Sequence, residues 1–389
     1  MARGAGLDVH RDSIVAVVLV GSKKVKKELR TFGTTSGELA ELRQWLQSHK
    51  VTHVAMEATG VYWLPVVEAL EGQFELVVAN AHQVKNMPGR KTDACDAEWL
   101  ATLLRFGLIN SSFVPPAWQR QLGGLTRSRS SLTHSITRQR NMVLKLLESV
   151  GIKLAGVLSD VFGVSGMAML RALRDGNENP ELLSGLAKGR LRKKTSQIVA
   201  ALKGRTLAPG ARIVLAQHLQ TLDLFDEQMQ QLEAAIDAVV APYSKIIARL
   251  RTIPGVNYVL ATVILAEVGP DVAAFPTCAQ FAAWSGTCPG NARSAKRSKA
   301  AGARKGNVHL TTALVQAAVS ASRAKKPTFV SDKYHRIKTR RGPKRAALAG
   351  GHKIAIALWH MLHKGEDFHD LGPASISPRT KDSTRNNRI

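Results

Sequence analysis

The sequence predicts an α/β domain at the N-terminus, a central region built on two long helices, and a mostly helical C-terminal domain. Three observations predict it. Over residues 1–115, short β-branched runs alternate with segments whose apolar residues fall at helical spacing. Two longer stretches, 119–152 and 212–241, carry leucines and other apolar residues every three to four positions with polar and charged residues between them. From about 245 the pattern is again helical, interrupted by a Gly-, Ser- and cation-rich segment at 281–310.

Each element follows from its residues. "SIVAVVLV" (13–20) is a β-branched run ending at Gly21, and "KKVKKELRTF" (23–32) can pair with it as the next strand. "SGELAELRQWLQSH" (36–49) combines a Ser N-cap with helical spacing. "VTHVAMEATG" (51–60) reads as a strand, "WLPVVEALEG" (63–72) as a short helix and "FELVVAN" (74–80) as a strand. Helical crossovers between strands imply parallel pairing, with the runs at 13–20 and 51–56 expected side by side in the sheet interior. In "KTDACDAEWLATLL" (91–104), Asp93 and Asp96 open an amphipathic helix continued by Trp99, Leu100, Leu103 and Leu104. The two long stretches can pair as an antiparallel coiled coil or a dimer stalk. Between them lies a Gly- and Pro-interrupted helical region with a basic stretch at 188–205. "LRTIPGVNYVLATVILAEVG" (250–269) resembles one helix-hairpin-helix unit, a shape that can either grip phosphate or simply turn between packed helices. The expected domains are 1–115, 116–244 and 245–372, with a polar, basic tail at 373–389.

The formal charge is +26, from 55 Lys and Arg against 29 Asp and Glu, so nucleic acid is the expected partner. No apolar run approaches the roughly 18 residues that span a bilayer, and charges interrupt the only apolar stretch near the start, so neither a membrane anchor nor a secretory leader is expected. Cys95, Cys278 and Cys288 form no CxxC pair and no zinc spacing. Free thiols suit a reducing cytoplasm, and a protein so basic is expected at the nucleoid. Aromatic residues are only 5% of the chain, so contact with phosphates and nucleic-acid shape is expected over base stacking.

Positions three apart on a helix share a face, so Asp93 and Asp96 can approach one point. Helix capping alone would also explain them. Asp8 in "GLDVHRDS" stands where strands deplete Asp, and Glu57 in "AMEATG" closes a strand where a lone buried charge would be costly. Together Asp8, Glu57, Asp93 and Asp96 offer four hard oxygen donors without His or Cys, a set that selects Mg²⁺ or Mn²⁺. The residues thus point to metal-dependent phosphoryl transfer on nucleic acid, carried on an RNase H-like sheet.

"GLDVHRDS", "MEATGVYW" and "KTDACDAEWLATLLRFGLI" resemble the DEDD motif of insertion-sequence-110-type transposases, whose N-terminal domain is RuvC-like. "LRTIPGVN…ATVILAEVGPDVAAFPTCAQFAAWSGTCPGN" followed by "RKGNVHLTTALVQAA" resembles that family's C-terminal transposase domain. The resemblance covers roughly residues 4–115 and 245–325, in the family's order. It implies a recombinase that excises and inserts a mobile element through a circular intermediate. It also implies a bridge RNA, encoded by the element, that pairs with donor and target DNA. The working form would be a homo-oligomer, dimer or tetramer, joining the acids of one protomer to a nucleophilic serine of another.

Carried over by motif, the acids are Asp8, Glu57, Asp93 and Asp96, and the serine is Ser294 in "GNARSAKRS". The family usually shows Ser-Ala-Gly or Ser-Gly here, whereas Lys296 stands where a glycine is common; Ser285 and Ser298 are the competing hydroxyls. Arg293, Lys296, Arg297, Lys299, Arg304 and Lys305 surround the serine with cations suited to a scissile phosphate. Two other readings use the same residues. One is a Holliday-junction-type nuclease that uses only the acids and water, and the other is a non-enzymatic RNA- or DNA-binding scaffold.

Overall fold

The computed structural model describes residues 3–21, 24–58, 60–80, 84, 96–109, 111–288 and 306–372, and the backbone alone of 292–294 and 297–299. Asp93, Lys296, Arg304, Lys305 and the tail at 373–389 lie outside the described residues. The chain divides into two units, 1–114 and 115–389.

The first unit holds strands β1 (Arg3–Val9), β2 (Ile14–Val20), β3 (Lys26–Phe32), β4 (His53–Glu57) and β5 (Glu75–Ala79). They form one sheet in the order β3-β2-β1-β4-β5. Only β2 runs against its neighbours; β1, β4 and β5 pair in parallel. This is the RNase H-like arrangement. The sequence expectation of β2 beside β4 is corrected, because β1 stands between them. Gly4 and Gly6 make β1 a weak strand on propensity alone, and that hides its central place.

Helices α1 (Ser36–Ser48) and α2 (Trp63–Leu70) cover one face, where Leu42, Leu46, Val67 and Leu70 pack on Leu7, Val54 and Met56. Each such fully buried side chain contributes about 1.5–3 kcal/mol. Thr35, not the Ser36 expected from sequence, caps α1, with a capping box completed by Glu38. Helix α3 (Asp96–Arg105) covers the opposite face: Ala97 and Ala101 pack on Val17 and Leu19, and Leu100 and Leu104 on Ala55 and Ala79.

The second unit is helical. Its elements are α4 (Ala117–Ser149), α5 (Leu154–Val157), α6 (Val164–Arg174), α7 (Pro180–Gly185), a 3₁₀ turn (Gly189–Lys194), α8 (Thr195–Leu202) and α9 (Pro209–Val240). Then follow α10 (Ser244–Leu250), α11 (Tyr258–Val268), α12 (Cys278–Trp284), α13 (Val308–Ala321), α14 (Phe329–Arg341) and α15 (Pro343–Lys364). The long helices α4 and α9 pair antiparallel, tied by Arg129 to Glu233 at 2.8 Å and by Gln139 to His218 at 2.8 Å. At one end Val143, Leu147, Leu215 and Leu219 join a core with the short helices α6–α8. At the other, Leu122, Ile236 and Val240 join the C-terminal core around Phe281, Leu314 and Leu358.

The helix-hairpin-helix-like element is α10 and α11 joined through Pro254 and Gly255. Its turn lies against the backbone of α13 at Ala317 and Ala321, and Asn257 caps α11 by accepting from the Leu260 N–H. The turn therefore serves packing. Within 281–310, read from sequence only as a polar segment, the backbone forms a short hairpin of β6 (Ala292–Ser294) and β7 (Arg297–Lys299).

Candidate active site

Side-chain alternation along β1 sends Ala5, Leu7 and Val9 into the core under α1 and α2. Gly4, Gly6 and Asp8 therefore face α3. On β4, Ala55 packs under α3, which puts Glu57 on that same face. The register pairs Leu7 with Met56, so Asp8 and Glu57 are the next residues of two adjacent parallel strands. Both are partly buried, at one rim of the sheet.

The direction of α3 brings its first turn to this rim. A Cβ on Gly4 would meet Leu104, near the end of α3, whereas one on Gly6 would lie 2.0 Å from the Ala97 carbonyl oxygen and 2.5 Å from the Ala101 nitrogen. Only a glycine permits that approach of helix backbone to strand. Helix α3 thus runs against β1, with Asp96 toward Asp8. Its other first-turn acid, Glu98, is ion-paired with Lys27 of β3, while Asp96 is exposed. Among the described residues, no three His, Cys, Asp or Glu side chains are grouped closely enough to hold a metal ion. Asp8 and Glu57 are brought together on adjacent strands, Asp96 opens the helix that lies over this face, and Asp93 falls outside the description.

His10 was not anticipated from sequence. Its Nε2 lies 3.1 Å from the Asp8 carboxylate, while the ring itself is largely exposed. Period-two spacing from Asp8 along the strand was the signal that could have found it.

Ser294 ends β6, and the register pairs it with Arg297, as it pairs Arg293 with Ser298. The segment that carries them is pinned at both ends. A Cβ on Gly306 would meet the Gly286 backbone within 2.3–2.4 Å, the Asn307 N–H donates to the Trp284 carbonyl at 3.1 Å, and the Thr311 hydroxyl donates to the Ser285 carbonyl. Asn307 caps α13 and also donates from Nδ2 to Glu267 at 2.6 Å. Glu267 is only 4% exposed and takes a two-pronged bond from Arg127 at 2.9 and 3.1 Å. One buried carboxylate therefore joins α4, α11 and the start of α13.

Two other hydroxyls are engaged. Ser285 is fully buried, donates to the Ala282 carbonyl at 2.9 Å and shares a bond with Thr287, so its hydroxyl is engaged within the core. The Tyr258 phenol donates to Asp237; burial, then that bond, pushes its pKa up to about 12, which disfavours a phenolate.

Comparison with known proteins identifies the family. A family model described as a transposase, of the DEDD type of IS110, matches residues 5–152. A second, described as the transposase of the IS116/IS110/IS902 family, matches residues 247–335. The protein y4pF/y4sB of Sinorhizobium fredii, named as a transposase, is 24% identical over 95% of this chain and 91% of its own. The transposase for insertion sequence element IS1111A of Coxiella burnetii is 26% identical over 82% of this chain and 80% of its own. Among solved structures, Thermus thermophilus RuvC is 16% identical, covers 28% of this chain and 99% of its own, and gives a TM-score of 0.22. With Asp8, Glu57 and Asp96 in the first matched region and Glu267 and Ser294 in the second, the chain belongs to the IS110 family of transposases.

Proposed function

We propose that this transposase excises and inserts its element with Ser294 as the attacking group, with Asp8, Glu57, Asp93 and Asp96 holding Mg²⁺ or Mn²⁺, and under guidance by a bridge RNA. The observation that carries the reading is the sheet rim: Asp8 and Glu57 end adjacent parallel strands beneath the first turn of α3. An all-carboxylate donor set suits a hard divalent ion, and such an ion would stabilise charge on the oxygens of the reacting phosphate. The chain's own residues do the rest. His10 holds the Asp8 carboxylate in orientation. The Ser294 oxygen attacks the scissile phosphorus; an O–P bond to serine forms, the bond to the leaving sugar oxygen breaks, and the hydroxyl proton is passed to solvent. Arg293, Lys296, Arg297, Lys299, Arg304 and Lys305 bind the phosphates on either side. The homo-oligomeric working form and the cytoplasmic, nucleoid-associated location belong to the same reading.

Single substitutions separate it from its rivals. Ser294→Ala should bind DNA and RNA yet form no covalent protein–DNA adduct, while Ser298→Ala still forms it. Asp93→Asn should abolish cleavage and leave RNA binding unchanged. An adduct that persists in Ser294→Ala refutes the serine assignment. Loss of cleavage with the acids alone, and with no serine, favours the nuclease. Full recombination without the acids leaves them a structural role.

A further inference from the structure

The corner between α14 and α15 is a concentrated cationic surface. Arg336, Lys338, Arg340, Arg341, Lys344 and Arg345 fall within ten residues that contain no acid, and all six are exposed. Among the described residues only Arg336 has a carboxylate partner, Asp332 at 4.0 Å. The scaffold beneath is fixed. Thr328 and Ser331 form a capping box at the start of α14, and Tyr334, Ala346 and Ala347 pack with Val315, Val319 and Ile337 under the corner.

Two features mark these charges as more than a solvated face. Lys338, Arg340 and Arg341 lie in the last turn of α14, where a helix favours cations, but Lys344 and Arg345 lie in the first turn of α15, where it disfavours them, and no acid offsets them there. The placement works against helix stability and in favour of binding an anion. The six residues also stand close together: α14 advances only about 7.5 Å from 336 to 341, a span over which duplex DNA presents several phosphates at about one charge per 1.7 Å.

We propose that this corner docks the backbone of duplex DNA. No aromatic residue occurs between 336 and 345, so the surface lacks the stacking platform that single strands require. The docking rests on the chain's being a transposase, whose substrate is DNA, and not on the acid–serine chemistry. Contact is to phosphates, and is therefore independent of sequence.

The test is a salt titration of duplex DNA binding, by fluorescence anisotropy, with the full chain. Arg340→Gln/Arg341→Gln and Lys344→Gln/Arg345→Gln should each lower the slope of log affinity against log salt by about 1.8, equivalent to a loss of about 60-fold per tenfold dilution of salt. The loss should be equal on unrelated sequences. Lys24→Gln/Lys26→Gln removes the same charge from the first unit and should change the slope far less. Thermal melting of the Lys344/Arg345 variant should be unchanged or raised, because the removed cations oppose the helix dipole. Slopes equal to wild type, or to the Lys24/Lys26 control, would overturn the proposal. So would a loss seen on duplex RNA but not on DNA. Lost adduct formation in Ser294→Ala with these slopes intact would leave the docking surface standing.

Discussion

Gly6→Ala tests whether the approach of α3 to β1 makes the site. The added Cβ would sit 2.0 Å from the Ala97 oxygen and 2.5 Å from the Ala101 nitrogen, against an ordinary contact of 3.4–4 Å. These are backbone atoms of a helix, so no side chain can rotate away. The helix must withdraw by about 1.4 Å, taking Asp96 with it. Overpacking of this kind costs about 1–3 kcal/mol, and a misplacement of about 1 Å at a reacting centre costs about 100-fold in rate. Gly4→Ala is the matched control, because its Cβ meets the tip of the Leu104 side chain at 3.3 Å, which can yield. Urea denaturation should show Gly6→Ala destabilised by about 1–3 kcal/mol and Gly4→Ala by less. Strand cleavage by the folded fraction should fall about 100-fold in Gly6→Ala alone. Wild-type stability in Gly6→Ala would refute the packing argument. A destabilised Gly6→Ala whose folded fraction cleaves normally would remove α3 from the site.

Two further outcomes follow from titrating groups. Burial, and then the Lys353 ammonium beside it, hold the His352 imidazole below its usual pKa, so the unfolded chain binds the proton more readily. Its stability contribution is complete above about pH 6.5 and is lost as the pH falls below that value; the drop in urea midpoint between about pH 7.5 and about pH 5.5 should shrink in His352→Gln, and an undiminished drop would rule this out. His49 acts in the opposite sense, since its bond to the Trp45 carbonyl raises its pKa and its contribution is lost as pH rises. Tyr258→Phe should retain adduct formation, because the phenol donates to Asp237 and resists ionisation; loss of the adduct with the fold intact would make it a candidate nucleophile.

What could be read from the sequence is what local pattern determines. The β-branched run at 13–20, the capped helix at 36–48 and the spacing of Leu100, Leu103 and Leu104 each specify one element, and each element is there. The place of β1 could not be read, because Gly4 and Gly6 weaken a strand on propensity and matter only through the helix that lies on them. Asp8 and Glu57 could be singled out as acids next to apolar strands, but Asp8 was expected at the start of the leading strand and stands near the end of β1 instead. The burial of Ser285 was not legible, since three serines in a polar stretch look alike until Thr311 and Ala282 are seen to engage one of them. Nor was Glu267, which sits in an apolar run and gains its meaning from Arg127 and Asn307, far away in sequence.

Charge is divided between the two units in a way that bears on how the chemistry is assembled. Residues 1–114 carry 13 Lys and Arg against 12 Asp and Glu, leaving 42 against 17 for residues 115–389. The unit with the carboxylate rim is nearly neutral overall. It has little means of drawing DNA to itself, because like charges oppose the approach. The affinity must come from the second unit, whose surplus supplies sequence-independent attraction at long range. In the proposed reaction, binding energy gained there would hold a phosphodiester against acids that otherwise repel it, and a divalent ion at the rim would lower that repulsion. A basic unit that docks DNA would, in that reaction, complement a nearly neutral unit that carries the acids. Neither is sufficient on charge alone.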